Sequence, residues 1–279
     1  MAVIEAFLKY GFMRNALLAA LLSAVLCGII GVIIVEKKLV MMSGGVAHTA
    51  YGGVGLGYLL GFSPLLGAVG FSLAAALAIG ALRRRGGQRT DVLISLFWSL
   101  GMAAGILFVS LTPGYTADLN TYLFGSILTI GTADILLTAG LALLVVLLFV
   151  AFFEDFRAYL FDETFATVSG LRVGFLENLL LALIALTVVV LLRVTGIMLA
   201  IALLTAPAAT ASMLTRRLLP RMLVAAGLSA AFGVIGLCVS FYADIPSGAT
   251  VVAVAVLTYL SVLTVRSICA RRRPKPNEQ

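Results

Sequence analysis

Long apolar runs separated by short polar breaks set the pattern of this chain. Read from break to break, they fall at about 15–35, 42–61, 64–82, 92–111, 133–153, 175–193, 196–214, 222–242 and 249–266. Each is close to the ~20 residues that an α-helix needs to cross the hydrocarbon core of a bilayer. The breaks are equally legible. Glu36-Lys37-Lys38 closes the first run, the arginine-rich stretch Arg83 to Arg89 the third, Thr112-Pro113-Gly114 the fourth, and Asp244 to Gly248 the eighth. Residues 118–130 are too short and polar to cross, and 154–173 form the longest polar stretch. The pattern predicts an all-α, polytopic membrane protein with about nine transmembrane helices, eight being the smaller count. Short linkers and no evident repeat imply a single membrane domain over 1–279. Within it, 1–13 is expected as an amphipathic interfacial segment, 154–173 as a polar loop and 267–279 as a basic tail.

Composition narrows the class. Hydrophobic residues make up 62% of the chain and charged residues 11%, with a mean hydropathy of +1.16. An ordinary soluble domain is roughly 45–50% apolar and about 25% charged. A soluble enzyme or a nucleic-acid-binding module is therefore excluded. The net charge of +7 is explained by where the charges lie. With the N-terminus outside, 16 of the 19 Lys and Arg residues fall on the cytoplasmic side; only Lys9, Arg14 and Arg193 do not. Positive charge collects in cytoplasmic loops, so an outside N-terminus and a cytoplasmic C-terminus are expected. Lys9 and Arg14 ahead of an apolar run imitate a signal peptide. The run continues to Val35 with no small-residue cleavage motif, so it reads as a retained first span. Cys27, Cys238 and Cys269 match neither a zinc pattern nor a disulfide framework, and the two inside apolar runs, Cys27 and Cys238, read as packing residues.

Chemistry is sparse. The second run holds a row of small residues at helical spacing, Gly45, Thr49, Gly53, Gly57 and Gly61, which suits close approach by another helix. Beside it runs Gly44, His48 and Gly52, so the chain's single histidine lies among glycines inside a span. An ionisable group at that depth is a functional candidate, and neutral imidazole is a transition-metal ligand. A packed histidine bonded to a backbone carbonyl is the competing reading. One histidine makes no complete metal site, but a symmetric dimer would bring two. In the 154–173 stretch a short surface helix ended by Gly170 as its C-cap is expected, against the plainer reading of a solvated loop. Pro207 is expected to bend or break the seventh run. The carboxylates lie mostly at span ends, no nucleophile elbow accompanies His48, and no Walker A motif is present. The chain is thus not expected to be an enzyme, and any ATP-driven work needs another chain.

At these residues the sequence resembles the integral-membrane permease family of bacterial and archaeal ABC importers for zinc, manganese and iron. The likeness spans nearly the whole chain. It runs through Glu36-Lys37-Lys38-Leu39-Val40, Gly45-Val46-Ala47-His48, Gly52 to Gly61, and Tyr122-Leu123-Phe124-Gly125-Ser126-Ile127-Leu128. Further on come Phe161-Asp162-Glu163 with Ala166 and Gly170, Gly196-Ile197-Met198-Leu199, Pro207 to Ala211, and Ile245-Pro246-Ser247-Gly248-Ala249. The resemblance implies an ABC importer permease fold in the prokaryotic plasma membrane. It implies a homodimer with a second copy, two cytoplasmic ATP-binding subunits, and an extracytoplasmic metal-binding protein. The cargo would be a divalent metal ion, with ATP on the partner subunits, no permanently bound cofactor and no nucleic-acid partner. His48, Gly44, Tyr51 and Gly52 would line the metal path. Asp162, Glu163, Phe165, Ala166 and Gly170 would belong to a coupling helix over 161–171 that docks in the ATPase. The family usually carries an aspartate four residues before the histidine; here Gly44 stands there. Losing a hard oxygen ligand shifts preference away from manganese, so zinc comes first and manganese and iron follow. Two other readings stay open. One is an ABC permease for a metal chelate or siderophore. The other is a secondary transporter or channel, against which the scarcity of mid-span carboxylates argues.

Overall fold

The computed structural model describes residues 10–86, 89–113 and 130–271. Outside them lie the expected interfacial segment up to residue 9, the Tyr122–Leu128 motif with most of 118–130, and the basic tail from residue 272. Among the described residues there are eleven α-helices and no strand: α1 Gly11–Glu36, α2 Val40–Leu60, α3 Pro64–Gly86, α4 Thr90–Ser110, α5 Thr132–Ala151, α6 Phe153–Phe161, α7 Glu163–Val168, α8 Val173–Thr195, α9 Ile197–Leu214, α10 Leu218–Ala243 and α11 Ser247–Arg271.

Eight of these are long and apolar enough to cross a membrane: α1, α3, α4, α5, α8, α9, α10 and α11. The exception among the long helices is α2, which spans 21 residues. Its glycines, histidine and hydroxyls lower its hydropathy, and its place in the bundle removes the need for lipid solubility. From Met42 to Gly57 every residue is buried except His48 and Leu56. Helices α3 and α4 hold it on two sides, with α8, α9 and α1 making smaller contacts. In α8, 72% of the most apolar window is buried, against 17% in α11. Leucines and valines such as Leu143, Val150, Leu257 and Val265 point outward. In lipid they carry no hydrophobic penalty.

Close packing around α2 depends on glycine. A Cβ on Gly53 would overlap the carbonyl of Gly67 in α3, and the converse holds. A Cβ on Gly52 would sit 2.9 Å from the Gly101 carbonyl of α4 and 3.0 Å from the Phe71 ring. The small-residue row is therefore a helix contact, apart from its last member. Gly61 has nothing within 4 Å of its Cβ position and instead caps α2, with φ +72°. Side-chain hydrogen bonds add register. Thr49 Oγ1 donates to the Phe97 carbonyl of α4 at 3.1 Å, and Ser72 Oγ of α3 to the Val46 carbonyl at 3.4 Å.

Ion pairs gather at the two ends of the bundle. At one end Arg83 and Arg84 of α3 clamp the buried Glu177 of α8, Arg221 of α10 pairs with Glu36 of α1, and Lys37 pairs with Glu163 of α7. At the other, Arg193 of α8 meets Asp134 of α5. Helix direction thus alternates along the chain, as the polar breaks predict. One sequence expectation, at Pro207, needs correction. Within 154–173 the expected short helix ended by Gly170 is present as α7, and a second helix, α6, precedes it, so the segment is not the solvated loop of the competing reading. Phe156 and Tyr159 of α6 are buried, and that apolar pair draws the segment against the bundle as α6 and α7. Pro207 does not interrupt its helix, because α9 runs unbroken from Ile197 to Leu214. The proline removes one backbone donor, and the packed helices on either side hold the rest of the ladder.

Candidate functional site

The α2 face that carries Gly44 and His48 looks onto α4. These two residues are one turn apart, and both meet Trp98. The His48 ring stacks on the indole with centroids 4.3 Å apart and planes 10° from parallel. Stacking on the ring face leaves the ring edge available for in-plane contacts. Nδ1 lies 3.4 Å from the Met102 sulfur, one turn further along α4. A Cβ at Gly44 would lie 3.5 Å from the indole and 3.7 Å from Ile201 of α9, an ordinary contact distance. So Trp98 flanks the position where the resembling family carries its carboxylate, and a small side chain there would clash with nothing.

The four residues expected on the path are thereby separated. Gly44 and His48 share the Trp98 face, with His48 half-buried. Gly52 lies one turn beyond His48, but the Gly101 carbonyl and the Phe71 ring close over it. Tyr51 is 9% exposed and packs against Gly105 of α4. Sequence reasoning did not single out Trp98 or Met102. The available signal was weak: they are an i, i+4 pair on one helix, and Trp98 is the chain's only tryptophan. Among the described residues no three His, Cys, Asp or Glu side chains gather into a metal-binding group. Imidazole nitrogen and thioether sulfur are the donors in reach on this face.

The second candidate element is α7 with its caps. Asp162 starts it, its carboxylate accepting from the Thr164 and Phe165 backbone amides at 2.8 and 3.0 Å. The helix stops at Ser169, where Gly170 takes φ +81°. Leu171 N–H then donates to the Ala166 carbonyl and Gly170 N–H to the Thr167 carbonyl, both at 3.1 Å. This paired closure is a Schellman motif, which needs a left-handed residue at the position of Gly170. Ala166 is fully buried and seats α7 on the bundle, while Phe165 and Val168 are 61% and 82% exposed. These two lie on one face. Apolar side chains standing clear of the spanning helices suit a protein partner better than water.

Beneath α7, Lys37 at the end of α1 reaches across. Its ammonium donates to the Tyr159 carbonyl at 2.8 Å, lies 3.5 Å from the centre of the Tyr159 ring, and is 3.6 Å from the Glu163 carboxylate. Burial pulls the Lys37 pKa down, with Glu163 opposing. Burial pushes the Tyr159 phenol up to about 12.

Comparison with known proteins puts this geometry in context. An uncharacterized membrane protein of Synechocystis sp. is 46% identical over 95% of this chain and 94% of its own length. The manganese transport system membrane protein MntC of Listeria innocua is 33% identical over 93% of this chain and 92% of its own. Among solved structures, PsaBC from Streptococcus pneumoniae in complex with Fab matches with a TM-score of 0.83 at 29% identity, covering 94% of this chain and 95% of that one. A family profile described as the ABC 3 transport family matches residues 9–266. That match covers the α2 face and α7 alike, and with it this multi-pass membrane chain belongs to the ABC 3 transport family, the importer permeases whose motifs its sequence carries.

Proposed function

We propose that the chain is the permease of an ATP-driven importer in the prokaryotic plasma membrane and that its cargo is a divalent transition-metal ion, zinc first. Two copies form the path. Two cytoplasmic ATP-binding subunits bind at the α6–α7 end, and an extracytoplasmic metal-binding protein delivers the ion at the other. ATP binding moves α7, and the dimer switches between outward- and inward-facing states around His48. The N-terminus lies outside, a placement supported by the 16-to-3 distribution of basic residues under the positive-inside rule.

One observation carries the choice of metal. The Trp98 face offers the His48 imidazole with the Met102 sulfur 3.4 Å away and no carboxylate at Gly44. Imidazole and sulfur donors suit zinc, whereas manganese favours hard oxygen. The ion would exchange water for His48 in each copy and leave without a resident cage, as transport requires. Manganese is the second reading, supported by the name of the Listeria relative. The test is ATP hydrolysis by the purified complex with zinc, manganese or iron on its binding protein. Zinc is expected to stimulate most. Stimulation by manganese alone would replace zinc with manganese, and no response to any metal would remove the metal reading.

A further inference from the structure

Between α7 and α2 the chain offers two mechanical routes. The covalent one leads from Gly170 through Arg172 into α8. The other runs through space, through Lys37. This residue ends α1 and stands three positions before Val40, where α2 begins. The connection is short and stiff. Lys37 N–H donates to the Ile33 carbonyl and Leu39 N–H to the Ile34 carbonyl, at 3.0 and 2.8 Å, while Lys38 takes φ +57°. A non-glycine residue rarely adopts the left-handed region, so the tight turn is held by its surroundings. A displacement of the Lys37 side chain therefore moves the root of α2 with little slack.

The far end of the side chain is gripped on three sides. The Tyr159 carbonyl accepts at 2.8 Å, the Tyr159 ring lies beneath at 3.5 Å, and Glu163 of α7 is at 3.6 Å. The Lys37 side chain is 14% exposed, that of Glu163 50%. An exposed surface pair contributes little. A partly buried ammonium held by a carbonyl and a ring face transmits force better, because leaving that geometry strands its charge. Lys37 also lines a small pocket together with Met42 of α2, Arg83 of α3, Tyr159 of α6 and Glu177 of α8. Helices α1, α2, α3, α6, α7 and α8 thus converge on one charged knot. From Val40, where α2 begins, His48 is eight residues along a continuous helix, about 12 Å at 1.5 Å per residue.

We propose that Lys37 is the positioning residue that carries motion of α7 to α2. It joins the ATPase-facing Asp162–Gly170 segment to the helix bearing His48. The inference rests on the transport reading above. In it α8 forms the fixed side of the joint, tied to α3 through Glu177, while α2 slides along its glycine contacts when the Glu163 end moves.

The experiment uses the full complex with its ATPase and binding protein in liposomes, and reads metal transported per ATP hydrolysed. Lys37→Met keeps the apolar stem and removes the ammonium. It is expected to assemble and hydrolyse ATP while the transport-to-hydrolysis ratio falls about tenfold, the upper part of the range for coupling residues. Lys37→Arg restores most of the ratio, since a guanidinium can still reach the carbonyl, the ring and Glu163. Glu163→Gln loses one of three contacts and lowers the ratio about threefold; it supplies the test if Lys37→Met does not assemble. A ratio within twofold of wild type in an assembled Lys37→Met complex, or in the Glu163→Gln complex where Lys37→Met fails, overturns the proposal. His48→Ala run alongside separates the two claims. If His48→Ala transports normally, the proposed path around His48 has failed; if only His48→Ala is impaired, the Lys37 link has failed.

Discussion

At the scale of single residues the account turns on a missing carboxylate. Gly44 leaves the α2 face with nitrogen and sulfur donors, and the indole of Trp98 lies within contact of the vacant position. Because a Cβ there meets the indole at 3.5 Å, Gly44→Asp is expected to fold normally. It places a hard oxygen one turn from the imidazole. Competitive uptake of zinc and manganese should then shift toward manganese by about tenfold, a differential of about 1.4 kcal/mol. An unchanged preference in a well-expressed variant would show that position 44 does not face the ion. His48 and Gly44 were legible in the sequence because helical spacing joins them within one run. Trp98 and Met102 were not. They meet His48 across some fifty residues of chain, and spacing along one helix says nothing about which face of a later helix arrives.

Among the elements, α2 and α7 carry the proposed function in different ways. Helix α2 is polar and glycine-rich yet lies deep, because backbone contact with α3 and α4 replaces side-chain burial. The glycine row announced that close approach. It did not announce that Gly61 is a cap, since helical spacing continues past the last turn of a helix without marking it. Helix α7 is short and depends on its ends. Its C-terminal stop at Gly170 stood out in the sequence as turn chemistry, whereas the N-cap role of Asp162 emerges only from the structure. The preceding α6 was missed because its charged residues suggested solvent, while the Phe156–Tyr159 spacing that buries it spans under two turns. Removing the N-cap by Asp162→Ala should destabilise α7 by about 1 kcal/mol. Hydrogen exchange at the Thr164 and Phe165 amides should quicken by about fivefold while the spanning helices keep their protection. Unaltered exchange at those amides would mean that α7 is held by Ala166 packing alone.

For the whole molecule, the polar breaks dictated alternating helix direction, and the ion pairs at each end agree with it. Arg83, Arg84, Arg221 and Lys37 act both as charge that favours one side of the membrane and as clamps between helices. Hydropathy counted the spans well wherever a helix faces lipid. Among the long helices it is lowest for α2, whose neighbours shield it and whose run at 42–61 nonetheless reads as a span, and it carried no information on which helices adjoin. On the proposed transport reading, a site made by one helix per copy is moved by an element at the membrane edge, and Lys37, against Tyr159 and Glu163 and three residues before α2, lies between the two.

The central claim is that metal passes by His48. Its most direct measurement is ATP-dependent zinc accumulation by liposomes holding the intact complex, wild type against His48→Ala, with manganese measured in parallel. The account predicts that wild type accumulates zinc and that His48→Ala falls by about tenfold or more while its ATPase subunits stay bound. Equal rates and equal metal preference in the two proteins would contradict it.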